Sequence, residues 1–168
     1  MVELNQKEEG MQSKMPEISY KDIANYYIAL ANDSGETLTN LKLQKLVYYA
    51  QAWYLANFKA PLFNKDFEAW VHGPVIPDLY REYKKFGYGP IVTDIDFDAI
   101  KPLERKISGF LYEVARVYMP IGAFELESMT HQEDPWIEAR GDCKPDENCN
   151  NVISQKSMMN FYASKIST

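Results

Sequence analysis

The sequence predicts a mainly α-helical protein: a single compact domain of six or seven helices, with at most a short two- or three-stranded β element. Three observations support this fold class. Apolar residues recur at helical spacing along most of the chain, and prolines and glycines separate these segments. Hydrophobic residues make up 46% of the 168 residues, which is enough for one ordinary core, and the chain contains no internal repeat.

The first two helices are predicted from capping residues and apolar periodicity. Ser19 is placed to cap a helix that has Asp22 in its first turn, and the turn-forming residues 32–35 end it. A second helix is predicted from Thr39 to about Phe58, and we expect it to form the centre of the core. Its apolar face consists of Leu43, Leu46, Val47, Ala50, Trp53 and Tyr54.

The middle of the chain is less regular. Pro61 interrupts the helical pattern, and residues 67–71 are too few and too mixed to distinguish a short strand from an extended link. Pro77 suits the first turn of a helix over residues 78–86, and Gly87 is a natural stop for that helix. Residues 94–98 alternate acidic and apolar side chains but lack the glycine and distal glutamate of a calcium loop, so a solvated turn or a short edge strand is predicted.

Helical periodicity returns in the last third of the chain. The predicted helices cover residues 101–119, residues 123–129, a short segment from Pro135 to residue 139, and a final segment capped by Ser154. Residues 141–151 form a polar, turn-rich loop that contains both cysteines, Cys143 and Cys149. Two cysteines in a chain with only two histidines are a poor match to zinc-site spacing, so reduced surface thiols are predicted.

Composition restricts the class of protein. The net charge is −6 and the pI about 5.0, which disfavours direct binding to a nucleic-acid backbone. No apolar stretch is long enough to span a bilayer, and residues 1–18 lack the apolar core of a signal peptide. We therefore predict a flexible leader over residues 1–18, a helical domain over residues 19–168, and a cytoplasmic location without membrane contact.

Several blocks, in a fixed order, resemble the Panacea-domain family of SocA-like and GepA phage-associated antitoxins. The resemblance covers roughly residues 19–163. The matching segments are Leu38-Thr39-Asn40-Leu41-Lys42-Leu43-Gln44-Lys45-Leu46, Tyr48-Tyr49-Ala50-Gln51, Pro61-Leu62-Phe63, Glu68-Ala69-Trp70, His72-Gly73-Pro74-Val75 with Pro77 and Tyr80, Leu126-Glu127, Thr130-His131, Pro135-Trp136, and the last helix from Ile153 to Tyr162.

The resemblance implies an antitoxin that neutralises a cognate protein toxin by direct binding, the toxin being encoded by an adjacent gene. It implies no cofactor, no metal and no catalytic residue. SocA itself is described as an adaptor that delivers its toxin to the AAA+ protease ClpXP, so a proteolytic adaptor tethered by residues 1–18 is the alternative. Many family members carry an additional N-terminal DNA-binding domain, for which residues 1–18 are too short.

The candidate partner-binding residues come from these blocks and from residue type. We expect an exposed edge of the second helix, because exposed tyrosine is favoured at protein interfaces. We also expect residues 72–77 to form a rigid surface ledge, since one glycine and two prolines restrict the backbone there. The full set is Lys45, Tyr48, Tyr49, His72, Gly73, Pro74, Pro77, Tyr80, His131 and Trp136.

Plainer interpretations of the same residues stay open. The segment from His72 to Pro77 is also typical of a structural turn that positions the next helix, and the two histidines can serve as loop hydrogen-bonding groups. A third hypothesis is a small hydrolase that uses His72 and His131, the only histidines, with nearby acids. No nucleophile motif accompanies them, and the hypothesis requires the two imidazoles to meet in a cleft.

Overall fold

The computed structural model describes Val2 and residues 17–166. In this part of the chain it contains seven α-helices: α1 (Tyr20–Ser34), α2 (Asn40–Phe58), α3 (Pro77–Tyr83), α4 (Arg105–Tyr118), α5 (Ala123–His131), α6 (Asp134–Arg140) and α7 (Gln155–Ala163). A single 3-10 turn, Lys84–Phe86, extends α3. The predicted mainly α-helical fold class is confirmed.

Helix α2 lies at the centre of the domain. Sixteen of its nineteen residues are buried, because helices α1, α4, α5 and α7 pack around it. Buried polar side chains on α2 bond to the backbone of neighbouring loops: Gln51 donates to the Phe63 carbonyl at 2.8 Å and accepts from the Leu62 amide at 2.8 Å. The periodic apolar face predicted for this helix is therefore only part of a surface that is buried nearly all round.

Local capping sets the ends of the first two helices. Ser19 and Asp22 form a reciprocal capping box at the start of α1, and Gly35 ends that helix in the left-handed conformation. The Thr39 side chain caps α2 by accepting from the Lys42 amide. These boundaries agree with the predicted ones.

The β element is a hairpin whose first strand also pairs with the segment before α7. Strands β1 (Glu68–Trp70) and β2 (Gly73–Val75) are antiparallel, and Ala69 stands opposite Pro74. On its other side β1 bonds to the segment before α7, where the Ala69 amide donates to the Asn151 carbonyl and the Ile153 amide donates to the Phe67 carbonyl. Residues 67–71 thus contain a strand, with pairing on both sides.

The start of one helix differs by four residues from the sequence expectation. Helix α4 begins at Arg105, four residues after the predicted start, because Pro102 disfavours helical backbone at Lys101 and Glu104 is extended, with ψ of 141°. Of the two forms predicted for residues 94–98, the structure shows the solvated turn, which covers residues 97–99. The Asn32 side chain holds the preceding residues by donating to the carbonyls of Thr93 and Ile95.

Most of the predicted leader, residues 1–18, lies outside the described residues. Val2 is described and is buried, and Asn57 of α2 donates to its carbonyl at 3.2 Å. Glu17 and Ile18 lead directly into α1. Flexibility of this leader stays a prediction. Among the described helices, none is both long and apolar enough to cross a lipid bilayer.

Candidate functional site

The turn between β1 and β2 brings the backbone of Gly73 against helix α2. Gly73 has φ of +101°, a conformation that side-chain-bearing residues rarely adopt. A Cβ atom placed on Gly73 would lie 2.5 Å from Cε of Lys45 and 2.8 Å from Oγ1 of Thr130. Glycine is therefore required here for the backbone angle and for the close approach of the turn to α2 and α5.

Lys45 is fully buried beneath this turn. Its Nζ donates to the carbonyl of Pro74 at 3.1 Å. Burial lowers the pKa of Lys45 to about 7, against a smaller opposing contribution from the Glu127 carboxylate. A pKa near 7 means that both the charged and the neutral form of this amine are populated near neutral pH. The amine contacts no solvent in this conformation.

Glu127 of α5 connects the buried lysine to the protein surface. Its Oε1 lies 2.9 Å from Nδ1 of His72, whose side chain is 60% exposed. Thr130, one turn further along α5, donates from Oγ1 to the Glu127 carbonyl at 2.7 Å. The carboxylate therefore has an exposed imidazole on one side and a buried ammonium within electrostatic range on the other.

His131 joins the same cluster from the end of α5. Its ring stacks on Trp136 with centroids 4.2 Å apart, and the Trp136 indole donates to the Trp70 carbonyl at 2.9 Å. Burial lowers the pKa of His131, while Glu127 and a backbone hydrogen bond with Val71 oppose that shift. Its Nε2 is buried without a hydrogen-bond partner among the described residues.

The predicted residues around the turn thus converge, although they come from three distant parts of the sequence. His72 and His131 interact electrostatically with each other and with Glu127. Against the hydrolase hypothesis, the described side chains of this cluster include no serine or cysteine nucleophile, and Lys45 is sealed from solvent. Within the described part of the chain, no group of three His, Cys, Asp or Glu side chains is arranged to hold a metal ion.

Several predicted exposures are wrong. Lys45, Tyr48 and Tyr49 are each 0% exposed, because α2 is surrounded on all sides and offers no free edge there. Gly73 and Pro74 are also buried, so the expected surface ledge is a packed turn whose exposed part is His72. Trp136 is buried and His131 half-buried, whereas Pro77 and Tyr80 are partly exposed.

The buried tyrosines of α2 take part in a hydrogen-bond network instead. The hydroxyls of Tyr49 and Tyr162 donate to Oε1 of Glu133 at 2.7 and 3.0 Å, and Tyr162 also contacts the Tyr48 hydroxyl at 3.2 Å. Burial raises the pKa of Glu133, and the hydrogen bonds from Tyr49 and Tyr162 partly offset that shift. This network joins α2 to α7 and to Glu133, the N-cap residue of α6.

A groove of about 1140 Å³ lies beside the turn. Strand β1 and the turn form one wall, the start of α3 forms another, and residues 146–152 form a third. Its lining residues are Lys65, Asp66, Glu68, Trp70, Val71, His72, Pro77, Asp78, Arg81, Asp146, Asn148, Cys149, Asn150 and Val152.

The groove carries excess negative charge. It is lined by four carboxylates and two cationic side chains, and both cations bind the same carboxylate: Lys65 and Arg81 each lie 2.5 Å from an oxygen of Asp78. The acids Asp66, Glu68 and Asp146 have no cationic partner in the described structure. Trp70 supplies an aromatic surface beside these acids. Its ring packs edge-to-face against that of Tyr80, with the ring centroids 5.1 Å apart.

Sequence reasoning identified only part of this groove. His72 and Pro77 were among the predicted binding residues and line it, whereas the third wall, residues 146–152, was treated as an ordinary polar loop. Its signal in the sequence is weak, since acids and asparagines are common in any solvated loop. Pairing of residues 151–153 with β1, together with Arg140, which donates both to Ala69 of β1 and to Glu147 of the loop, brings this loop to the groove.

Comparison with known proteins places the cluster inside a recognised domain. The sequence model of the family described as "Antitoxin SocA-like, Panacea domain" matches residues 43–137, more than half of the chain. Antitoxin SocA of Caulobacter vibrioides (strain NA1000 / CB15N) is 37% identical over 70 residues, which are 42% of this chain and 37% of that protein. The match thus spans well under half of the relative's length. No solved structure matches the chain significantly.

Proposed function

The chain belongs to the antitoxin SocA-like, Panacea-domain family, and from this premise we propose that it neutralises a cognate protein toxin by binding it directly in the cytoplasm. Family membership is the observation that carries the proposal. The family match covers the whole polar cluster from Lys45 to Trp136, together with β1, β2 and α3. The toxin is proposed to be encoded by an adjacent gene, and the mechanism is occlusion without turnover.

We propose the groove beside His72 as the toxin-binding surface. Protein interfaces are built around aromatic anchors in recessed sites, and the groove offers Trp70 in such a position. The buried cluster beneath it holds the hairpin rigidly against α2 and α5, which lowers the entropic cost of binding. Both features favour a protein partner over a small substrate.

The charge of the groove favours a basic partner. Among the described residues, Asp66, Glu68 and Asp146 have no salt-bridge partner, and the whole chain carries a net charge of −6. Such a surface attracts a lysine- or arginine-rich toxin surface and accelerates association at low salt. An arginine or lysine side chain of the toxin can also stack on the Trp70 ring.

Reversing two groove charges tests both the surface and its partner. The double variant Asp66→Lys/Asp146→Lys is expected to weaken the complex with the toxin by about tenfold or more, because two attractive contacts become repulsive. The measurement is the dissociation constant of the purified pair by calorimetry, alongside rescue of growth when the adjacent open reading frame is co-expressed.

Asp33→Lys/Asp94→Lys is the matched control. It changes the net charge by the same amount at exposed acids that do not line the groove. We expect the affinity of this control to stay within about twofold of the original, since remote surface charges are screened by salt. Equal weakening by both variants would exclude the groove, and a non-toxic neighbour that forms no complex would overturn the antitoxin proposal itself.

A further inference from the structure

The small sheet has an outer edge formed by residues 150–153, the edge segment, which pairs with β1. Val152 stands opposite Glu68 in an antiparallel bridge. The two hydrogen bonds of this bridge, at 2.9 and 2.8 Å, are made by the residues before and after this pair and not by the pair itself. In such a pair the backbone N–H and C=O of each residue point away from the partner strand. The N–H and C=O of Val152 therefore face outward, away from β1.

These outward-facing backbone groups are open. Neither the N–H nor the C=O of Val152 forms a hydrogen bond with the described part of the chain, and the Val152 side chain is 53% exposed. An unpaired strand edge can pair with another strand, and proteins commonly protect such edges with charged residues or proline. Residues 150–154 contain no proline and no charged residue. The edge segment thus lacks the usual protection against pairing.

The outer face of the sheet lines the groove. Side chains point alternately to the two faces of a strand, and residues that stand opposite each other share a face. The outward-facing side chains all line the groove: Glu68, Trp70, Asn150 and Val152. The intervening residues Ala69 and Ile153 are buried. Cys149, which the sequence predicted to be a surface thiol, is buried as well. The open edge of the sheet therefore lies beside the groove.

We propose that the toxin adds an extended segment bearing lysine or arginine to the sheet beside Val152, an inference that rests on the proposed antitoxin function. Addition of a strand to an open sheet edge is a recurrent mode of peptide recognition, in which main-chain hydrogen bonds give affinity and side chains give specificity. Val152 supplies one donor and one acceptor for such bonds. Because the edge segment is short, side-chain contacts along the groove supply the rest of the affinity.

Charge selects the side chains of the added segment. A residue paired with Val152 directs its side chain to the groove face, where Glu68 lies on the next strand, about 10 Å away at two strand spacings. Glu68 has no salt-bridge partner among the described residues. Lysine and arginine combine an apolar stem with a charged tip, so the stem covers Val152 while the tip reaches toward the Glu68 carboxylate. An acidic segment is repelled at the same position.

Amide hydrogen exchange followed by NMR tests the edge directly, on the full chain alone and in complex with the product of the adjacent open reading frame. We expect the Val152 amide to exchange rapidly in the free chain and more slowly in the complex, by about tenfold or more, because it gains a hydrogen-bond acceptor. The Ile153 amide is the internal reference. It already donates to the Phe67 carbonyl, so its exchange should be slow in both states.

Two substitutions of Val152 separate its backbone from its side chain. Val152→Pro removes the outward N–H but no hydrogen bond of the described fold, and we expect the dissociation constant of the complex to rise about fivefold to tenfold. Val152→Thr is the matched control, because it keeps the N–H and the β-branched shape, and its affinity should stay within about twofold of the original. Urea unfolding checks that both variants fold. If the proline variant does not fold, exchange in the unmodified chain decides.

The possible outcomes distinguish the edge from the antitoxin function. A complex in which the Val152 amide still exchanges rapidly, or which the two variants weaken equally or not at all, overturns the strand addition and leaves the proposed function intact. Protection of the Val152 amide in the free chain also overturns it: protection lost on dilution indicates pairing with a second copy, and protection at every concentration indicates cover from within the chain. A neighbour that forms no complex overturns the proposed function and this inference with it.

Discussion

Replacing Gly73 by alanine is expected to destabilise the protein by about 4 kcal/mol, since backbone strain and overpacking each contribute up to about 3 kcal/mol. The new methyl group meets Cε of Lys45 at 2.5 Å and Oγ1 of Thr130 at 2.8 Å, and the backbone has φ of +101°. Neither neighbour moves easily, because Lys45 is fully buried and Thr130 is bonded to the Glu127 carbonyl. The measurement is the free energy of unfolding in urea.

Gly109→Ala is the control for this substitution. Gly109 lies inside helix α4, and a Cβ atom there meets nothing within 4 Å. Alanine restricts the unfolded chain and favours the helix, so we expect a gain of up to about 1 kcal/mol. A Gly73→Ala protein as stable as Gly109→Ala would show that the turn relaxes away from Lys45. A variant that does not accumulate in folded form agrees with the expectation.

The stability of the protein is expected to increase with pH between 7 and 9, through Lys45. In the folded state burial lowers the pKa of Lys45 to about 7, whereas in the unfolded chain the amine keeps its ordinary value near 10.5. Between these values the unfolded state binds more protons, so raising the pH favours the folded state. The cost of burying this amine is greatest below pH 7 and is relieved as the pH rises toward 10.5.

The expected gain from pH 7 to pH 9 is about 2 kcal/mol, obtained by integrating the difference in bound protons. Urea unfolding of the original chain and of Lys45→Met at both pH values measures it. Methionine keeps the volume of the side chain without its charge, and the difference between the two proteins removes contributions from the other titrating groups. The same pH dependence in both proteins would contradict a depressed lysine pKa.

The Gly73→Ala prediction and the prediction on Lys45 concern the same contact, the packing of Gly73 against the Lys45 side chain. If Gly73→Ala displaces the turn, Lys45 gains access to solvent, and its pKa returns toward the ordinary value. The pH dependence of stability should therefore be smaller in any folded Gly73→Ala protein than in the original chain. A steep dependence that persists after the substitution would show that Lys45 stays buried without the close approach of Gly73.

The helices could be predicted from the sequence because their signals are local. Ser19 and Asp22 cap α1, Thr39 caps α2, and Gly35 ends α1, as the residue types indicate. These contacts join residues within one turn of each other, so no distant part of the chain is needed to form them. The start of α4 differs most from its prediction, since residues 101–104 are not helical.

The membership of the polar cluster could also be anticipated in part. His72, Gly73, Pro74, His131 and Trp136 were selected from sequence blocks, and the fold brings their segments together. The burial of three other candidates, Lys45, Tyr48 and Tyr49, could not be anticipated. A lysine and two tyrosines on a helix suggest a solvated edge, but α4, α5 and α7 cover that edge from distant parts of the chain.

By itself, the sequence determined the mainly helical class of this protein, the capped ends of its first helices and its family, because each depends on residue type and local spacing. Only the tertiary structure decided that Lys45 is buried and that Asp66 and Asp146 face one groove. Burial and charge proximity depend on which segments pack together, and that packing is set by the whole core at once.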